Sequence, residues 1–196
     1  MSESSDSRIT CHLATPDRWV DIETLFGPRG ACAGCWDMCL RITRARFATN
    51  GNEGNKEAFQ RMVAAGEEPG LLAYVDGVPA GWCAVQPREA YPVLRRSRLL
   101  KPVDDQPAWA VTCFFIGQGF RRRGLTVRLL RAALAHAQAR GARIVEGYPL
   151  DPLGAKVSDA HAWHGTVAAF HAVGFVEVAR RSASRPIMRY VFEDAG

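Results

Sequence analysis

The sequence has no long hydrophobic segment. No stretch of about 18 apolar residues occurs among its 196 residues, which excludes a membrane-spanning helix of the usual length. Its opening stretch, MSESSDSR, is polar and lacks the apolar core of a secretory signal peptide. We therefore expect residues 1–8 to be a disordered lead-in, residues 9–196 to form a single domain, and the protein to be cytoplasmic.

Internal repeats and low-complexity tracts are also lacking. Cysteine is not scarce, since there are six, but thiols stay reduced in a cytoplasm, so we predict no disulfides. The formal net charge of +5 favours anionic partners such as nucleic acid, anionic lipid or a phosphate-bearing cofactor. Net charge alone does not choose among these partners, whereas the position of the charges does.

Hydrophobic periodicity predicts elements in the order β-α-α-β-β-β-α-β-α-β-β. Pro16 opens the first helix, Asn55 is the predicted cap of the second, and Asp76-Gly77 marks a hairpin. The long connection over residues 88–107 is read either as a substrate-side lid or short helix, or as a solvated surface excursion. This order predicts a three-layer α/β architecture with a mixed sheet.

One junction combines positive charge with a helix start. An apolar strand over residues 108–116 is followed by GQGFRRRG and then by a helix with an apolar face. A helix N-terminus has about four backbone N–H groups without intrahelical partners and about half a unit of positive charge. Since Gly124 lacks a Cβ, a phosphate can approach these amides closely, and the arginines before it can close over the phosphate.

Two familiar phosphate loops do not fit this junction. There is no GxxxxGK[ST] motif, and the third glycine of a Rossmann fingerprint is displaced to Gly124. The segment instead resembles the R-x-x-G-x-G/A loop of the GNAT superfamily of N-acetyltransferases, with Thr126 where Gly or Ala is usual. The element order and the late Val173-Gly174-Phe175 ending resemble that family too, so the resemblance covers nearly the whole chain.

The resemblance implies a GNAT-like three-layer α/β/α fold whose mixed, mostly antiparallel central sheet is splayed between strands 4 and 5. It implies acetyl-CoA as co-substrate, with its pantetheine arm along the backbone of Phe115 and Ile116. The Ile116 amide would also stabilise the oxyanion. The pyrophosphate would be held by a loop that comprises Arg121, Arg122, Arg123, Gly124, Leu125 and Thr126.

The usual catalytic groups of that family are missing here. Strand 108–116 contains no carboxylate, and Phe170 stands where a tyrosine acid often falls and is counted among the cofactor contacts. The best remaining base is Glu146, which shares a strand face with Tyr148, a predicted substrate contact. The alternative is that Glu146 pairs structurally with an arginine. Asp151 is a second candidate near the acceptor.

The same resemblance implies that the region between the first two helices shapes the acceptor site. Trp36, Asp37 and Met38 are candidate substrate contacts, with Asp37 available to attract a cationic amine. In the late loop, His161 and His164, with Trp163, are candidate pocket residues, although loop histidines are more often plain surface residues.

The segment CAGCWDMC spaces three cysteines as C-x2-C-x3-C, a pattern that also allows a zinc or iron–sulfur site with Cys11 or His12 as fourth ligand. Core packing of these cysteines is favoured, and no metal is expected. A cysteine as acyl-carrying nucleophile is a remote option, since no histidine is adjacent in sequence.

The sequence therefore predicts an acetyl-CoA-dependent N-acetyltransferase that transfers the acetyl group directly to a small-molecule amine or a peptide. The alternative is an acyl-CoA-binding regulatory protein without significant turnover. A nucleic-acid-binding module is disfavoured because an aromatic stacking platform and a recognition helix are lacking. No membrane partner is expected, and unpaired strand edges make a homodimer reasonable.

Overall fold

A computed structural model describes residues 8–154 and 163–193 of the chain. Its centre is a seven-stranded sheet with the order β1-β2-β3-β4-β5-β7-β6. The strands are β1 (Ile9–Leu13), β2 (Gly70–Val75), β3 (Val78–Pro87), β4 (Trp109–Ile116), β5 (Ile144–Gly147), β6 (Val176–Arg180) and β7 (Pro186–Val191). Only β4 and β5 run parallel among the pairs of this sheet, so the sheet is mixed and mostly antiparallel.

In the described part of the chain, five α-helices cover the sheet: α1 (Trp19–Phe26), α2 (Arg44–Ala64), α3 (Pro92–Arg96), α4 (Leu125–Ala139) and α5 (Val167–His171). Successive residues of β2 face opposite sides of the sheet. Leu71 and Ala73 pack in the cluster that contains α4 and Phe170 of α5, whereas Leu72 and Tyr74 pack in the cluster that contains α1 and α2. The predicted three-layer architecture is confirmed.

The two strongest local signals in the sequence hold in the structure. Asp76 and Gly77 have φ values of 51° and 81°, the left-handed pair that joins β2 and β3 in a tight hairpin. On α4, the buried side chains recur at helical spacing, namely Leu125, Leu129, Leu130, Ala133, Leu134 and Ala137. Val127, expected on this face, is only half-buried.

The prediction that the second helix begins at Asn55 is wrong. Helix α2 begins eleven residues earlier, and the Thr43 side chain caps it by accepting a hydrogen bond from Arg46 N at 3.3 Å. The glycine- and asparagine-rich middle of α2 has the composition of a loop, and Gly51 (φ 60°) does interrupt the helical backbone. Asn55 is buried in α2 and donates to Gly34 O at 3.0 Å.

The connection over residues 88–107 contains one turn at Arg88–Ala90 and the five-residue helix α3, which confirms the expected short helix. No helix in residues 8–154 or 163–193 is both long and apolar enough to cross a membrane.

Strands β4 and β5 part from each other beyond a short paired stretch. Their register joins only Trp109 to Val145, Ala110 to Glu146 and Val111 to Gly147. On its other side, β4 shifts register against β3 at the same level, because Ala84 pairs with Cys113 and Val85 pairs with Val111. The intervening Thr112 is an extra residue that bends β4. The predicted splay between strands 4 and 5 is confirmed.

We predict that Gly147→Ala destabilises the fold, because a Cβ at this position would lie 1.9 Å from Cε1 of Phe170. The free energy of unfolding should fall by about 1–3 kcal/mol, the usual cost of overpacking, as measured by urea denaturation. At Gly119 an added Cβ meets open space, so Gly119→Ala is the matched control. Combined with Gly147→Ala, the substitution Phe170→Leu should recover part of the lost stability. Equal stability of Gly147→Ala and the wild type would contradict the packing of Phe170 on β5.

Candidate functional site

The N-terminus of α4 is an open set of backbone amides. Gly124 precedes the helix in the left-handed conformation (φ 73°). Its carbonyl accepts from Val127 N at 3.1 Å and from Arg128 N at 3.2 Å. The amides of Leu125 and Thr126 come before these donors and have no intrahelical acceptor. The helix dipole adds partial positive charge here, so the site favours an anion.

The three arginines before Gly124 lie around this helix end but are held differently. Arg121 is half-buried and its Nε donates to the Ile116 carbonyl at 3.3 Å. Arg122 is exposed and adopts a left-handed φ of 62°. Arg123 is also exposed, with its guanidinium 5.8 Å from the centre of the Phe120 ring. The structure thus brings the predicted phosphate loop together at the carboxyl end of β4.

The edge of β4 that faces the gap is open at Ile116. Gly117 N donates to Ala80 O at 2.9 Å, and the next register pair is Gly81 with Ile116. Antiparallel partners alternate between hydrogen-bonded and non-hydrogen-bonded pairs. The N–H and C=O of Ile116 therefore point away from β3 and into the gap. The same alternation turns the backbone of Phe115 towards β3, so of these two predicted cofactor contacts only Ile116 presents its backbone to the gap.

Phe170 fills the base of the gap between β4 and β5. Its ring is fully buried and lies against the backbone of Gly147, where no Cβ intervenes. It makes an edge contact with Phe114 of β4, with ring centres 6.2 Å apart. The position at which the family resemblance leads us to expect a tyrosine acid therefore holds a packed apolar ring, and a contact with a cofactor stays a prediction.

Glu146 is the centre of a buried charge network. Its Oε2 accepts from Arg88 Nε at 3.0 Å and from the Tyr148 hydroxyl at 2.7 Å, and its Oε1 accepts from Arg189 Nε at 2.9 Å. Burial and the Glu146 charge hold the pKa of Tyr148 well above its usual value, so this hydroxyl stays protonated and donates. The arrangement matches the structural alternative left open by the sequence, while a role of Glu146 as base stays a prediction.

The network extends to the surface through Arg189, which also binds Asp104 at 2.5 and 2.9 Å. This hydrogen bonding lowers the pKa of Asp104 to about 2. A cavity of about 310 Å³ opens beside the network and is bordered by Arg88, Glu146 and Arg189. Further polar lining comes from Glu89, Arg95, Asp104 and Asp105.

The predicted acceptor contacts between α1 and α2 lie in the protein interior. Trp36, Asp37 and Met38 are 3%, 7% and 3% exposed. Arg41 binds Asp37 Oδ2 through Nε at 2.9 Å and Nη2 at 2.8 Å. Burial raises the pKa of Asp37, and Arg41 opposes this shift. The negative charge of Asp37 is therefore already paired, and its contact with an amine stays a prediction.

The other predicted acceptor residues, His164 and Asp151, flank the contact in which Leu150 N donates to Gly165 O at 3.0 Å. His164 is buried, and its Nδ1 lies 3.0 Å from the carbonyl of Thr112, the extra residue of β4. Asp151 accepts from Arg180 Nη1 at 2.8 Å and from Leu153 N at 3.1 Å. These bonds lower the pKa of Asp151, the Leu153 bond most. His161 lies outside the described residues.

Three arginines that hold the buried carboxylates were missed by sequence reasoning. Arg41 follows Asp37 by four residues, a spacing that could have signalled the pair. Arg88 and Arg189 are 58 and 43 residues from Glu146, and no local pattern connects them. Within residues 8–154 and 163–193, no three His, Cys, Asp or Glu side chains are grouped so as to hold a metal ion.

The parted parallel strands and the open amides that follow β4 define a mixed α/β class of protein. Comparison with protein-family models identifies the family. The family model for the acetyltransferase (GNAT) family matches residues 36–148, more than half of the 196-residue chain. The chain belongs to the GNAT acetyltransferase family. No curated protein matches it.

Solved structures share this fold at low identity. PaiA N-acetyltransferase of Thermoplasma acidophilum, in complex with coenzyme A, has a TM-score of 0.55 and 11% identity, covering 94% of this chain and 99% of that one. YncA of Salmonella typhimurium, with its cofactor acetyl-CoA, has a TM-score of 0.52 and 15% identity, and the match covers 95% of each chain. Aminoglycoside N-acetyltransferase AAC(6')-Iy, in complex with CoA, has a TM-score of 0.54 and 15% identity. That match covers 92% of this chain and 96% of the other. At these identities the likeness shows the fold.

We predict that His164 makes stability fall as the pH is lowered below 6.5. Burial, and secondarily Arg185, lower the pKa of His164 from 6.5 to about 3. Between these values the unfolded chain binds the proton and the folded chain does not. The free energy of unfolding should therefore decrease by up to about 1.4 kcal/mol per pH unit below about pH 6.5.

Urea denaturation at pH 5, 6 and 7 measures this contribution. His164→Asn, which keeps an N–H donor for Thr112, should show a shallower pH dependence than the wild type. His12→Asn, at an exposed position, is the matched control. The same slope in His164→Asn and the wild type would disprove the contribution.

We predict that Glu146→Gln costs about 3–5 kcal/mol of stability, because Arg88 and Arg189 lose a buried counter-charge. Urea denaturation measures the loss. Glu177 forms a partly exposed ion pair with Arg180, so Glu177→Gln should change stability by less than about 1 kcal/mol. If Glu146→Gln keeps wild-type stability but loses acetyl transfer, Glu146 acts as a base rather than as a structural counter-charge.

Proposed function

We propose that this protein is an acetyl-CoA-dependent N-acetyltransferase that transfers the acetyl group directly to an amine. The observation that carries the proposal is the continuity of two open backbone surfaces. The N–H and C=O of Ile116 point away from β3 towards the gap beside β5, where the C=O also accepts from Arg121 Nε, and the Leu125 and Thr126 amides follow at the start of α4. An extended thioester arm and a pyrophosphate fit these two surfaces in that order. Family membership supports the same assignment.

In this proposal the residues of the chain mainly position acetyl-CoA and polarise its thioester carbonyl. The Ile116 N–H faces the thioester carbonyl and stabilises the oxyanion of the tetrahedral intermediate. Leu125 and Thr126 amides bind the pyrophosphate, with Arg122 and Arg123 as charged neighbours. The Thr126 hydroxyl adds a donor beside the phosphate where a glycine or alanine is usual.

In the proposed reaction, protons are transferred mainly to and from water rather than by a catalytic acid and base of the protein. The acceptor amine must be neutral when it attacks, and the leaving thiolate must gain a proton. Phe170 supplies no proton, and both oxygens of Glu146 already accept hydrogen bonds. The thiol of CoA is acidic enough to leave as a thiolate and take a proton from solvent. Glu146 remains the candidate base that the Glu146→Gln variant tests.

The acceptor class we propose is a small-molecule amine or a peptide amine. Structures of similar fold include an aminoglycoside N-acetyltransferase and the NatC complex bound to Gag peptide and CoA, the latter with a TM-score of 0.52 and 9% identity. The described structure favours neither kind of acceptor.

A second candidate function is acyl-CoA binding without turnover. The buried Phe170 ring and the arginine-paired Glu146 favour it, because Phe170 has no proton to give and both oxygens of Glu146 already accept hydrogen bonds. Release of CoA thiol in the presence of an amine panel separates the two functions.

We predict that acetyl-CoA binds with an affinity that depends on the α4 N-terminus. Isothermal titration of Arg122→Ala/Arg123→Ala should show a Kd about 30-fold weaker than that of the wild type, since each of the two charged contacts to phosphate contributes on the order of 1 kcal/mol at an exposed site. Acetyl-pantetheine, which lacks the pyrophosphate, should bind weakly and without sensitivity to the double variant.

Arg96 is an exposed arginine on α3, so Arg96→Ala is the charge-matched control and should bind acetyl-CoA as the wild type does. Absence of acetyl-CoA binding to the wild type would refute both candidate functions. Binding with no CoA release across aminoglycosides, amino acids, polyamines and peptides would favour the second function over the first.

A further inference from the structure

The cysteine-rich turn between α1 and α2 has no part in the proposed acetyl transfer. Cys32, Cys35 and Cys39 are all free thiols. Cys32 and Cys39 are exposed and Cys35 is partly exposed, so the turn presents sulfur to solvent. Free cysteines are usually buried as small apolar side chains, and three on one surface turn call for another explanation.

The backbone of this turn brings Cys35 and Cys39 together. Trp36 and Asp37, the residues that follow Cys35, both have left-handed φ values, 44° and 59°. They reverse the chain, and Met38 N donates to Cys35 O at 2.8 Å. The Cys35 and Cys39 side chains are close enough for each to shift the pKa of the other.

Side chains on both sides of the turn fix this geometry. Trp36 Nε1 donates to Asn52 Oδ1 at 2.7 Å, and the Trp36 ring stacks on Trp19 with centres 6.1 Å apart. Asp37 is held by the buried guanidinium of Arg41. Left-handed residues other than glycine cost on the order of 1 kcal/mol or more each, and these contacts stabilise them.

The two thiols differ in acidity. The hydrogen bond with Cys35 lowers the pKa of Cys39 to about 7, although burial and the Asp37 charge oppose the shift. The same bond and burial hold the pKa of Cys35 far above its usual value. Cys113 on β4 also interacts with Cys39, and burial keeps its own pKa high. Near neutral pH, Cys39 is therefore the exposed thiolate and Cys35 its protonated neighbour.

We propose that Cys35 and Cys39 form a redox-active dithiol whose substrate is a low-molecular-weight disulfide. The Cys39 thiolate attacks one sulfur of the disulfide, the S–S bond of the small molecule breaks, and one small thiolate leaves. Cys35 then gives its proton to the departing thiolate and attacks Cys39 Sγ. The mixed disulfide breaks and the second small thiolate leaves.

The exchange is balanced in atoms and electrons. The protein loses two electrons and the Cys35 proton and becomes the Cys35–Cys39 disulfide, while the small disulfide gains two electrons and becomes one thiol and one thiolate, which takes its proton from solvent. Because one turn carries both cysteines, closure to an S–S bond of about 2.05 Å joins side chains that already neighbour each other. This site acts independently of the proposed acetyl transfer.

Glutathione disulfide is the probe for this proposal, with the full-length reduced protein and intact-mass spectrometry at pH 7.5. The wild type should become lighter by two hydrogens, and peptide mapping should locate the link between Cys35 and Cys39. Cys35→Ser should instead accumulate one glutathione on Cys39, because no thiol remains to resolve it. Cys39→Ser should react at least about tenfold more slowly, since it lacks the thiolate that dominates at neutral pH.

Cys32→Ser is the matched control, as Cys32 is exposed on the same turn, and it should close as the wild type does. Alkylation of Cys39 by iodoacetamide should rise with pH through a midpoint near 7. Circular dichroism of each variant verifies folding. Stable glutathionylation of the wild type without closure, a Cys39–Cys113 link in place of Cys35–Cys39, or loss of closure in Cys32→Ser would each overturn the proposal.

Discussion

The parting of β4 from β5 is the feature on which the rest of the structure depends. The two strands share three register pairs and then separate where Thr112 adds a residue to β4. Phe170 occupies the base of the gap because Gly147 leaves β5 bare. His164 holds the Thr112 carbonyl from the other side. Unpaired backbone polar groups are costly unless a ligand or water meets them, so an open strand edge this well supported is suited to binding.

At the end where β4 and β5 pair, a network of ion pairs closes this part of the structure. Arg88 and Arg189 carry two positive charges, and Glu146 and Asp104 carry two negative ones, so the group is neutral. Burying such groups is costly, and the cost is offset only when every charge is paired and hydrogen-bonded. The pairing ties β5 and β7 to the connection that contains α3. One end of the β4–β5 pair is thus rigid, while the other is open.

Several of these structural features can be predicted from the sequence. The glycine after three arginines, the apolar strand before them and the helical spacing after them are local patterns, and each is set by φ preferences or by periodicity within a few residues. The start of α2 escaped prediction because a glycine and asparagine run has loop composition, while tertiary contacts of Asn55 and Phe59 retain the helix.

The sequence by itself determined the order of the elements, the hairpin at Asp76-Gly77 and the place of the α4 N-terminus, since these depend on neighbours along the chain. Only the tertiary structure decided the partners of the charged and sulfur side chains. Glu146 meets arginines far away in sequence, Asp37 is paired with Arg41, and two left-handed residues turn the chain between Cys35 and Cys39. Such contacts depend on where the chain returns in space, and hydrophobic patterning does not encode that information locally.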